Sequence, residues 1–306
     1  SVQRHFQGRL INCMSNAQET YYFSPDSTLI RTSIDFFPKL PESHGLHVYT
    51  NAEVGLWFGE FMHPDWDMFQ SGHEWGAYHA AARAVSGGPI YVSDKPGVHD
   101  AAVLARLVCS DGSVLRCDLP GRPTLDVLFS DPTRDDVLFK VWNRVGDAGV
   151  VGVFNARVGS NAEPGPELSG ETGPDDVPGL TAASFACFRY GSQTLERIAP
   201  GERRRVVLGE RGYEIFTFVP IERDFAAIGL GGMLNASGAV RGVTWSDERT
   251  VTVALADGGV FVAYAGRRPV SALVAGVAID FDYGEQSAAL RVELPRRGRC
   301  DVTLQF

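Results

Sequence analysis

A segment that follows a proline places two carboxylates on either side of an indole. Asp65, Trp66 and Asp67 come directly after Pro64, in a stretch where an extended or turn backbone is favoured. An aromatic face packs on the C–H groups of a sugar ring, while carboxylates accept its hydroxyl hydrogens or protonate a glycosidic oxygen. The segment therefore suggests a sugar site. The alternative is a solvated turn around a buried indole.

Three other segments are short apolar runs that end in polar residues, as buried parallel strands do where they open on a site. They are residues 10–16, 29–36 and 87–97. Segments 74–85 and 98–108 predict helices, the first closed by Gly87 and Gly88. This order is typical of a β/α barrel or a doubly wound sheet, where chemistry collects at the carboxyl ends of strands.

Taken together, these segments resemble the raffinose synthase and seed imbibition protein family, retaining α-galactoside enzymes of glycoside hydrolase family 36. The matching blocks are NCMSN at 12–16, IRTSIDFFP at 30–38, HPDWDMFQS at 63–71, YHAAARAVSGGPIYVSDKPGVHD at 78–100, LPGRPTLDVLFSDPTRD at 119–135, YEIFTFVPI at 213–221 and IGLGGMLNASGAV at 228–240. The resemblance covers nearly the whole chain.

The resemblance implies a fold that is α/β and then all-β. Its first part is the C-terminal half of a (β/α)8 TIM barrel, strands five to eight, and its second part is an antiparallel β-sandwich. The family uses two aspartates, and its nucleophile lies in a Lys-Val-Asp block that this chain lacks. We therefore expect the C-terminal part of a longer enzyme, inactive when expressed alone. A non-catalytic remnant that at most binds sugar is the alternative.

The family's acid/base follows an arginine by four residues, which here gives Asp35 and Arg31. Asp35 must stay protonated beside the leaving oxygen, and an aromatic wall of Phe36 and Phe37 can help by desolvating it. Arg31 is expected to fix a sugar or leaving-group hydroxyl. A surface ion pair is the alternative. One departure from the family is Ile34, which stands where a second Asp is usual and so changes the charge near the acid/base.

The resemblance also implies substrate contacts at other strand ends. Cys13 is expected near the sugar 2-hydroxyl, or else is a small buried hydrophobe. Trp66 and Asp67 are expected as pocket wall and sugar contact, whereas Asp65 is either a third contact or holds the loop. Asp94 is expected to meet a sugar hydroxyl or to cap the turn at residues 95–97.

Composition excludes several other classes of protein. The net charge of −9 and pI near 5.3 argue against nucleic-acid binding. Five cysteines at irregular spacing predict reduced thiols, in neither a disulfide frame nor a zinc site. No apolar run approaches the ~18 residues of a membrane span, and no signal peptide is visible. We therefore expect a cytoplasmic protein with no metal, no cofactor and no membrane partner.

The chain changes character near residue 113, so we predict domains at 1–112 and 113–306. Short β-rich runs follow that point, at 137–143, 150–155, 214–219, 250–255 and 260–264. The Asp257-Gly258-Gly259 sequence predicts a hairpin. Residues 158–181 contain five acidic residues and no Lys or Arg, which predicts a loop.

The expected activity is α-galactosyl chemistry by double displacement with net retention. Its substrate would be an α-galactosyl oligosaccharide such as raffinose or galactinol. Water as acceptor makes an α-galactosidase, whereas sucrose as acceptor with galactinol as donor makes a raffinose synthase. The Lys95–Asp100 block and the run at 119–123 are closer to the seed imbibition branch, which favours hydrolysis slightly.

Overall fold

A computed structural model of the chain describes residues 2–14, 17, 19, 22–23, 27–159, 163–296 and 298–306. Ser15 and Asn16 of the NCMSN block lie outside the described residues. The same is true of residues 160–162 in the predicted loop.

The first part of the chain contains a parallel sheet in the order β1-β2-β3. Helix α1 (Val2–Phe6) precedes strands β1 (Ile11–Asn12), β2 (Leu29–Arg31) and β3 (His63–Asp65). The strands expected in segments 10–16 and 29–36 are thus confirmed as the short parallel strands β1 and β2, and the extended segment after them is β3. The strand expected after Gly88 is reduced to an isolated parallel bridge between Val92 and Phe69.

Helix α2 (Pro41–Phe58) connects β2 to β3, and the sequence analysis does not predict it. Its buried face carries Ser43, His44, His47 and Asn51 beside Val48 and Ala52. The apolar period that marks a helix packed on a core is therefore weak in its sequence.

Helix α3 (Gly76–Ser86) confirms the helix predicted at 74–85. It ends at Gly87, whose φ of +73° is left-handed. A Cβ at this position would lie 1.9 Å from the carbonyl oxygen of Leu119, so a glycine is required here.

Helix α4 (Ala101–Leu104) is shorter than the helix predicted at 98–108. Asp100 sets its start by accepting two backbone N–H groups of the first turn. The helix does not extend to residue 108, because Val108 pairs with Val114 in an antiparallel bridge.

The rest of the chain is built of antiparallel strands. They are β4 (Arg122–Pro123), β5 (Phe139–Val145), β6 (Ala148–Phe154), β7 (Leu168–Thr172), β8 (Phe185–Arg189), β9 (Thr194–Ile198), β10 (Arg204–Leu208), β11 (Tyr213–Pro220), β12 (Phe225–Leu230), β13 (Val240–Trp245), β14 (Thr250–Leu255), β15 (Gly259–Ala265), β16 (Ser271–Val274), β17 (Val277–Ile279), β18 (Asp282–Gly284), β19 (Ala289–Leu294) and β20 (Cys300–Gln305). The sheet orders are β4-β5-β6-β11-β8-β9, β10-β7, β12-β15-β19-β18 and β13-β14-β20-β16-β17.

The five predicted β-rich runs coincide with β5, β6, β11, β14 and β15, which confirms them as strands. The predicted hairpin at Asp257-Gly258-Gly259 is wrong. Strand β14 pairs with β13 and β20, whereas β15 pairs with β12 and β19, so the turn connects two different sheets. The Asp257 carboxylate holds this turn by accepting the backbone N–H groups of Ser110 and Gly298 (2.6 and 3.0 Å). The turn is therefore fixed by segments outside the two strands it joins.

Several hydrophobic cores hold the described elements together, and two of them are the largest. Helix α3 packs on the six-stranded sheet, where Tyr78 and Val85 share a core with Phe139 and Phe154. The four- and five-stranded sheets share a second core that includes Phe261 and Val302. The antiparallel second part is thus observed, while the half-barrel description and the domain boundary near residue 113 stay predictions.

Candidate active site

A cavity of about 640 Å³ opens where strand β2 ends. It brings together three of the predicted site residues, Cys13, Arg31 and Asp35. Apolar side chains also line it, including that of Phe37. Phe36, the other half of the expected aromatic wall, turns away and packs edge-on against buried histidines.

Arg31 lies at the centre of three carboxylates. Its Nη1 is 3.1 Å from Asp35 Oδ1, its Nη2 is 2.8 Å from Asp67 Oδ1, and its Nε is 3.6 Å from Asp65 Oδ2. Burial alone would lower the pKa of Arg31, but Asp67, Cys13, Tyr91 and Asp65 outweigh it and raise that pKa. The guanidinium is therefore held as a cation beside the cavity.

Asp35 differs from the other two carboxylates in its exposure. Its side chain is 62% exposed, whereas those of Asp65 and Asp67 are 0% and 1% exposed. A carboxyl group in this position can meet a leaving oxygen in the cavity, with one of its oxygens already oriented by Arg31. An ion pair this exposed adds little to stability, so its geometry matters more for chemistry than for folding.

The oxygens of Asp67 are directed to protein donors. Oδ2 accepts the backbone N–H of Phe36 and Oδ1 that of Met68, both at 2.8 Å. Arg31 takes the remaining direction at Oδ1. Asp67 does not line the cavity, so its expected sugar contact stays a prediction.

Asp65 lies behind Arg31. It accepts the hydroxyl of Tyr91 at 2.7 Å and the backbone N–H of Asp67 at 3.0 Å. Burial raises the pKa of Asp65, although these two hydrogen bonds and Arg31 act in the opposite direction. Of the two roles considered for Asp65, its contacts match that of holding the loop.

Trp66 is completely buried, and its indole presents no face to solvent. Its backbone oxygen accepts from Arg83 at 2.7 Å and from His47 at 3.1 Å. The arrangement therefore has the buried indole of the alternative interpretation. It differs from a solvated turn because the neighbouring carboxylates, Asp65 and Asp67, are buried as well.

Asp94 lies outside the cavity and is bound by its neighbours. It accepts from the backbone N–H and the hydroxyl of Ser71 (2.7 and 2.5 Å) and contacts His99 Nδ1 at 3.1 Å. Burial would raise the pKa of Asp94, but these hydrogen bonds lower it overall. Asp94 therefore ties its strand end to the segment after Phe69. The turn at 95–97 is closed instead by the backbone bond from Val98 to Lys95.

Sequence reasoning missed a buried polar cluster of Arg83, His79, His44 and His47 behind Phe36. Arg83 Nη1 lies 2.7 Å from His79 Nδ1, and His79 Nε2 lies 2.8 Å from His44 Nδ1. Burial is the largest cause that lowers the pKa of each histidine, to about 4 for His44. The signal was available, because His79 and Arg83 are four residues apart on an Ala-rich helix and therefore share a face.

The described residues form neither a metal-binding cluster nor a membrane-spanning helix. No group of three or more His, Cys, Asp or Glu side chains within them is arranged to hold a metal ion. None of the helices in the same residues combines the length and the apolar character needed to cross a membrane.

Residues 1–165 and 167–294 match the model of the family described as "Raffinose synthase or seed imbibition protein Sip1". A relative from Arabidopsis thaliana, named "Probable galactinol–sucrose galactosyltransferase 6", is 39% identical over 97% of this chain and 43% of its own length. A galactinol–sucrose galactosyltransferase from Pisum sativum is 32% identical over 96% of this chain and 42% of its own.

The chain thus spans less than half the length of these relatives. Among solved structures, alpha-galactosidase I from Mortierella vinacea is similar with a TM-score of 0.45 and 14% identity, over 64% of this chain and 54% of that one. The family match extends through both the parallel and the antiparallel parts, and the chain belongs to the raffinose synthase and seed imbibition protein family.

Proposed function

We propose that this chain supplies the acid/base residue for transfer of α-galactosyl groups by double displacement. Asp35 donates its proton to the glycosidic oxygen as that bond breaks and the galactosyl group passes to a nucleophile. Asp35 then takes the proton of the incoming acceptor, which attacks the galactosyl–enzyme bond, so two inversions give net retention. The nucleophile would come from outside this chain, in the Lys-Val-Asp block that the family resemblance implies.

The observation that carries the proposal is the Arg31–Asp35 pair on the wall of the cavity. Arg31 is held between two buried carboxylates and directs its Nη1 atom to Asp35. The cavity of about 640 Å³ has room for a sugar ring beside Asp35. Cys13 lies on the same wall and is in place to face a sugar hydroxyl.

We further propose the fold that this function requires. Residues 1–112 would be the C-terminal half of a (β/α)8 barrel, and residues 113–306 an antiparallel β domain that packs on it. The short parallel sheet with site residues at its strand ends supports the first part, because barrel enzymes carry their chemistry there. The second core between the four- and five-stranded sheets supports the β domain.

The acceptor decides between hydrolysis and transfer. The sequence favours water slightly, whereas the names of the relatives favour sucrose. Both reactions use the same catalytic step at Asp35, so the difference lies in how well a second sugar excludes water.

The test uses the protein expressed from the longest reading frame that contains this chain. It is given galactinol and sucrose, and free galactose and raffinose are measured, with the anomeric form of the first product followed by NMR. Dominant galactose supports hydrolysis and dominant raffinose supports transfer. An inverted product, or no turnover of any α-galactoside, contradicts the proposal.

The 306-residue chain alone is the matched comparison in this assay. We expect it to be inactive on aryl α-galactosides, because the covalent step lacks its nucleophile. Turnover by the chain alone that disappears in Asp35→Ala would show that a nucleophile lies within it.

A further inference from the structure

Arg83 is a fully buried cation on helix α3 that makes its contacts to a loop. Among the described residues its guanidinium pairs with no carboxylate, and it donates to the backbone oxygens of Trp66 (2.7 Å), Met68 (3.1 Å) and Asp67 (3.4 Å). The fourth contact is His79 Nδ1. Three consecutive carbonyls of residues 66–68 therefore converge on one side chain. Burying an arginine is costly, so this many contacts indicate a site where loop geometry is held firmly.

The loop held by Arg83 contains a left-handed residue. Asp67 has a φ of +65°, a conformation that residues other than glycine adopt rarely and keep only when their surroundings fix it. The carbonyls on both sides of Asp67 and its own carbonyl all point to Arg83. Arg83 is therefore the group that fixes this backbone from the side of α3.

The carboxylate of Asp67 in turn holds two residues that adjoin Asp35: Phe36, which follows it in the chain, and Arg31, its ion-pair partner. Oδ2 accepts the N–H of Phe36, the residue that follows Asp35, at 2.8 Å. Oδ1 meets the Nη2 atom of Arg31, whose Nη1 atom meets Asp35. Asp35 is thus restrained through its backbone on one side and its carboxylate on the other.

We infer that Asp67 and Arg83 are positioning residues for Asp35: Asp67 holds Phe36 and Arg31, and Arg83 holds Asp67. The inference rests on the proposed role of Asp35 as acid/base. It gives Asp67 a task different from a sugar contact, in agreement with its 1% exposure.

Asp67→Asn tests this arrangement with almost no change in shape. An amide offers one acceptor oxygen and one NH2 donor, whereas Phe36, Met68 and Arg31 all present donors to this side chain. One of those contacts must therefore become a donor–donor clash. Asp257→Asn is the matched control, because Asp257 is also a buried aspartate that accepts several backbone N–H groups but lies in the β part.

The variant also predicts a shift in the pH profile. Without the charge of Asp67, Arg31 is less neutralised, so the charge that Asp35 faces becomes more positive. The basic limb of kcat/KM should therefore move to lower pH. The charged and titratable groups that face Asp35 directly or through Arg31, among the described residues, are Arg31, Cys13, Asp65, Asp67 and Tyr91.

The experiment compares the wild type, Asp67→Asn, Arg83→Lys and Asp257→Asn in the protein from the longest reading frame. Kinetic pH profiles and the amide hydrogen exchange of Phe36 are measured for each. For Asp67→Asn we expect kcat to fall about 10- to 100-fold with KM little changed, the limb to shift, and Phe36 to exchange at least about tenfold faster. Arg83→Lys should also speed exchange at Phe36, because an ammonium cannot reach all three carbonyls. The control should leave the limb and Phe36 unchanged.

Two results overturn the inference. In the first, Asp67→Asn raises KM while kcat, the limb and Phe36 exchange stay as in the wild type, which is the behaviour of a sugar contact. In the second, Phe36 exchange is unchanged in both variants. If the wild type turns over no α-galactoside, the proposed function fails. Faster exchange at Phe36 in both variants would then still uphold the positioning contacts by themselves.

Discussion

In the part of the chain that the structure describes, Arg31 and Lys140 expose little surface and are surrounded by carboxylates, but they lie in different settings. Arg31 contacts Asp35, Asp65 and Asp67 at the ends of adjacent parallel strands. Lys140 lies in the six-stranded antiparallel sheet, where its Nζ is 2.6 Å from Asp126 and 3.1 Å from Asp176. The two side chains are similarly buried, at 10% and 4% exposure. The number of carboxylates around a cation therefore does not mark a functional site.

The difference lies in what the carboxylates connect. The carboxylates around Lys140 come from a turn (Asp126) and a short 3-10 helix (Asp176), and the Glu171 carbonyl of strand β7 also accepts from its ammonium at 2.9 Å. Lys140 thus joins the six-stranded sheet to the two-stranded sheet. The carboxylates around Arg31 lie at or just after the ends of strands β2 and β3. One of them, Asp35, lines a cavity. We therefore interpret the Lys140 cluster as structural and the Arg31 cluster as chemical.

The largest expected effect distinguishes Asp35 from Asp126, the exposed carboxylates of the two clusters. Asp35→Asn should lower kcat/KM on α-galactosides about 10²- to 10⁴-fold, because it removes the proton donor. It should change the free energy of unfolding little, since Asp35 is 62% exposed. Steady-state kinetics and urea unfolding of the protein from the longest reading frame check both.

Asp126→Asn is the paired variant, because Asp126 is also half-exposed and contacts a buried cation. It should leave kcat/KM unchanged and lower the free energy of unfolding by only about 0.5 to 1 kcal/mol. Turnover retained in Asp35→Asn, or lost in Asp126→Asn, would break the distinction between the clusters.

A second prediction concerns the cations themselves. Arg31→Met leaves Asp65 and Asp67 buried without their cation, so we expect unfolding to become easier by about 3 to 5 kcal/mol. Lys140→Met should cost about 1 to 2 kcal/mol, because Arg203 still contacts Asp176 at 2.9 Å. Urea unfolding monitored by fluorescence measures both values. Equal losses would mean that Arg31 is not more tightly coupled to its carboxylates than Lys140.

The parts of this structure that the sequence predicted are those written in local patterns. Helix α3 has an Ala-rich run closed by Gly87, and β14 alternates along Thr250–Leu255 with the buried residues facing one side. Arg31 and Asp35 were expected together from the family block, and they form an ion pair beside a cavity. These features depend on residues close in the chain.

What the sequence could not predict depends on contacts between distant segments. The hairpin expected at residues 257–259 is a crossing between sheets, because Ser110 and Gly298 hold its aspartate. Trp66 was expected to face a sugar, but it is buried in one core with residues of helices α2 and α3. Helix α2 was not predicted because the histidines on its buried face interrupt the apolar pattern of a packed helix. Polar residues that form hydrogen bonds with one another inside a fold cannot be distinguished from surface residues in a sequence.

The smallest expected net effect is pH-dependent and comes from helix α2, where two groups act with opposite signs and nearly cancel. Burial, with the charges of His73 and Arg83, lowers the pKa of His44 from 6.5 to about 4. Burial raises the pKa of Glu53 from 4.5 to about 7. Burial would raise the pKa of Asp126 in the other cluster, but its contacts with Lys140 and Thr124 lower it below 3.8, so that cluster should not respond between pH 7.5 and 5.

The two groups on α2 should act with opposite signs. Below pH 6.5 the unfolded chain protonates His44 while the folded chain does not, so its contribution is present at pH 7.5 and falls by about 2 kcal/mol at pH 5. Below about pH 7 the folded chain protonates Glu53 while the unfolded chain does not, so its contribution grows by about 2 to 3 kcal/mol over the same range.

Urea unfolding at pH 7.5 and pH 5 separates these contributions. Relative to the wild type, His44→Phe should gain stability on acidification and Glu53→Gln should lose it. His63→Gln, at an exposed histidine on β3, is the matched control. If His44→Phe and His63→Gln respond to pH alike, the buried histidine is not the source of the dependence. If the unfolding free energy of Asp126→Asn changes with pH differently from that of the wild type in this range, the pH-sensitive charges lie instead in the Lys140 cluster. The contacts of Asp126 predict no titration there.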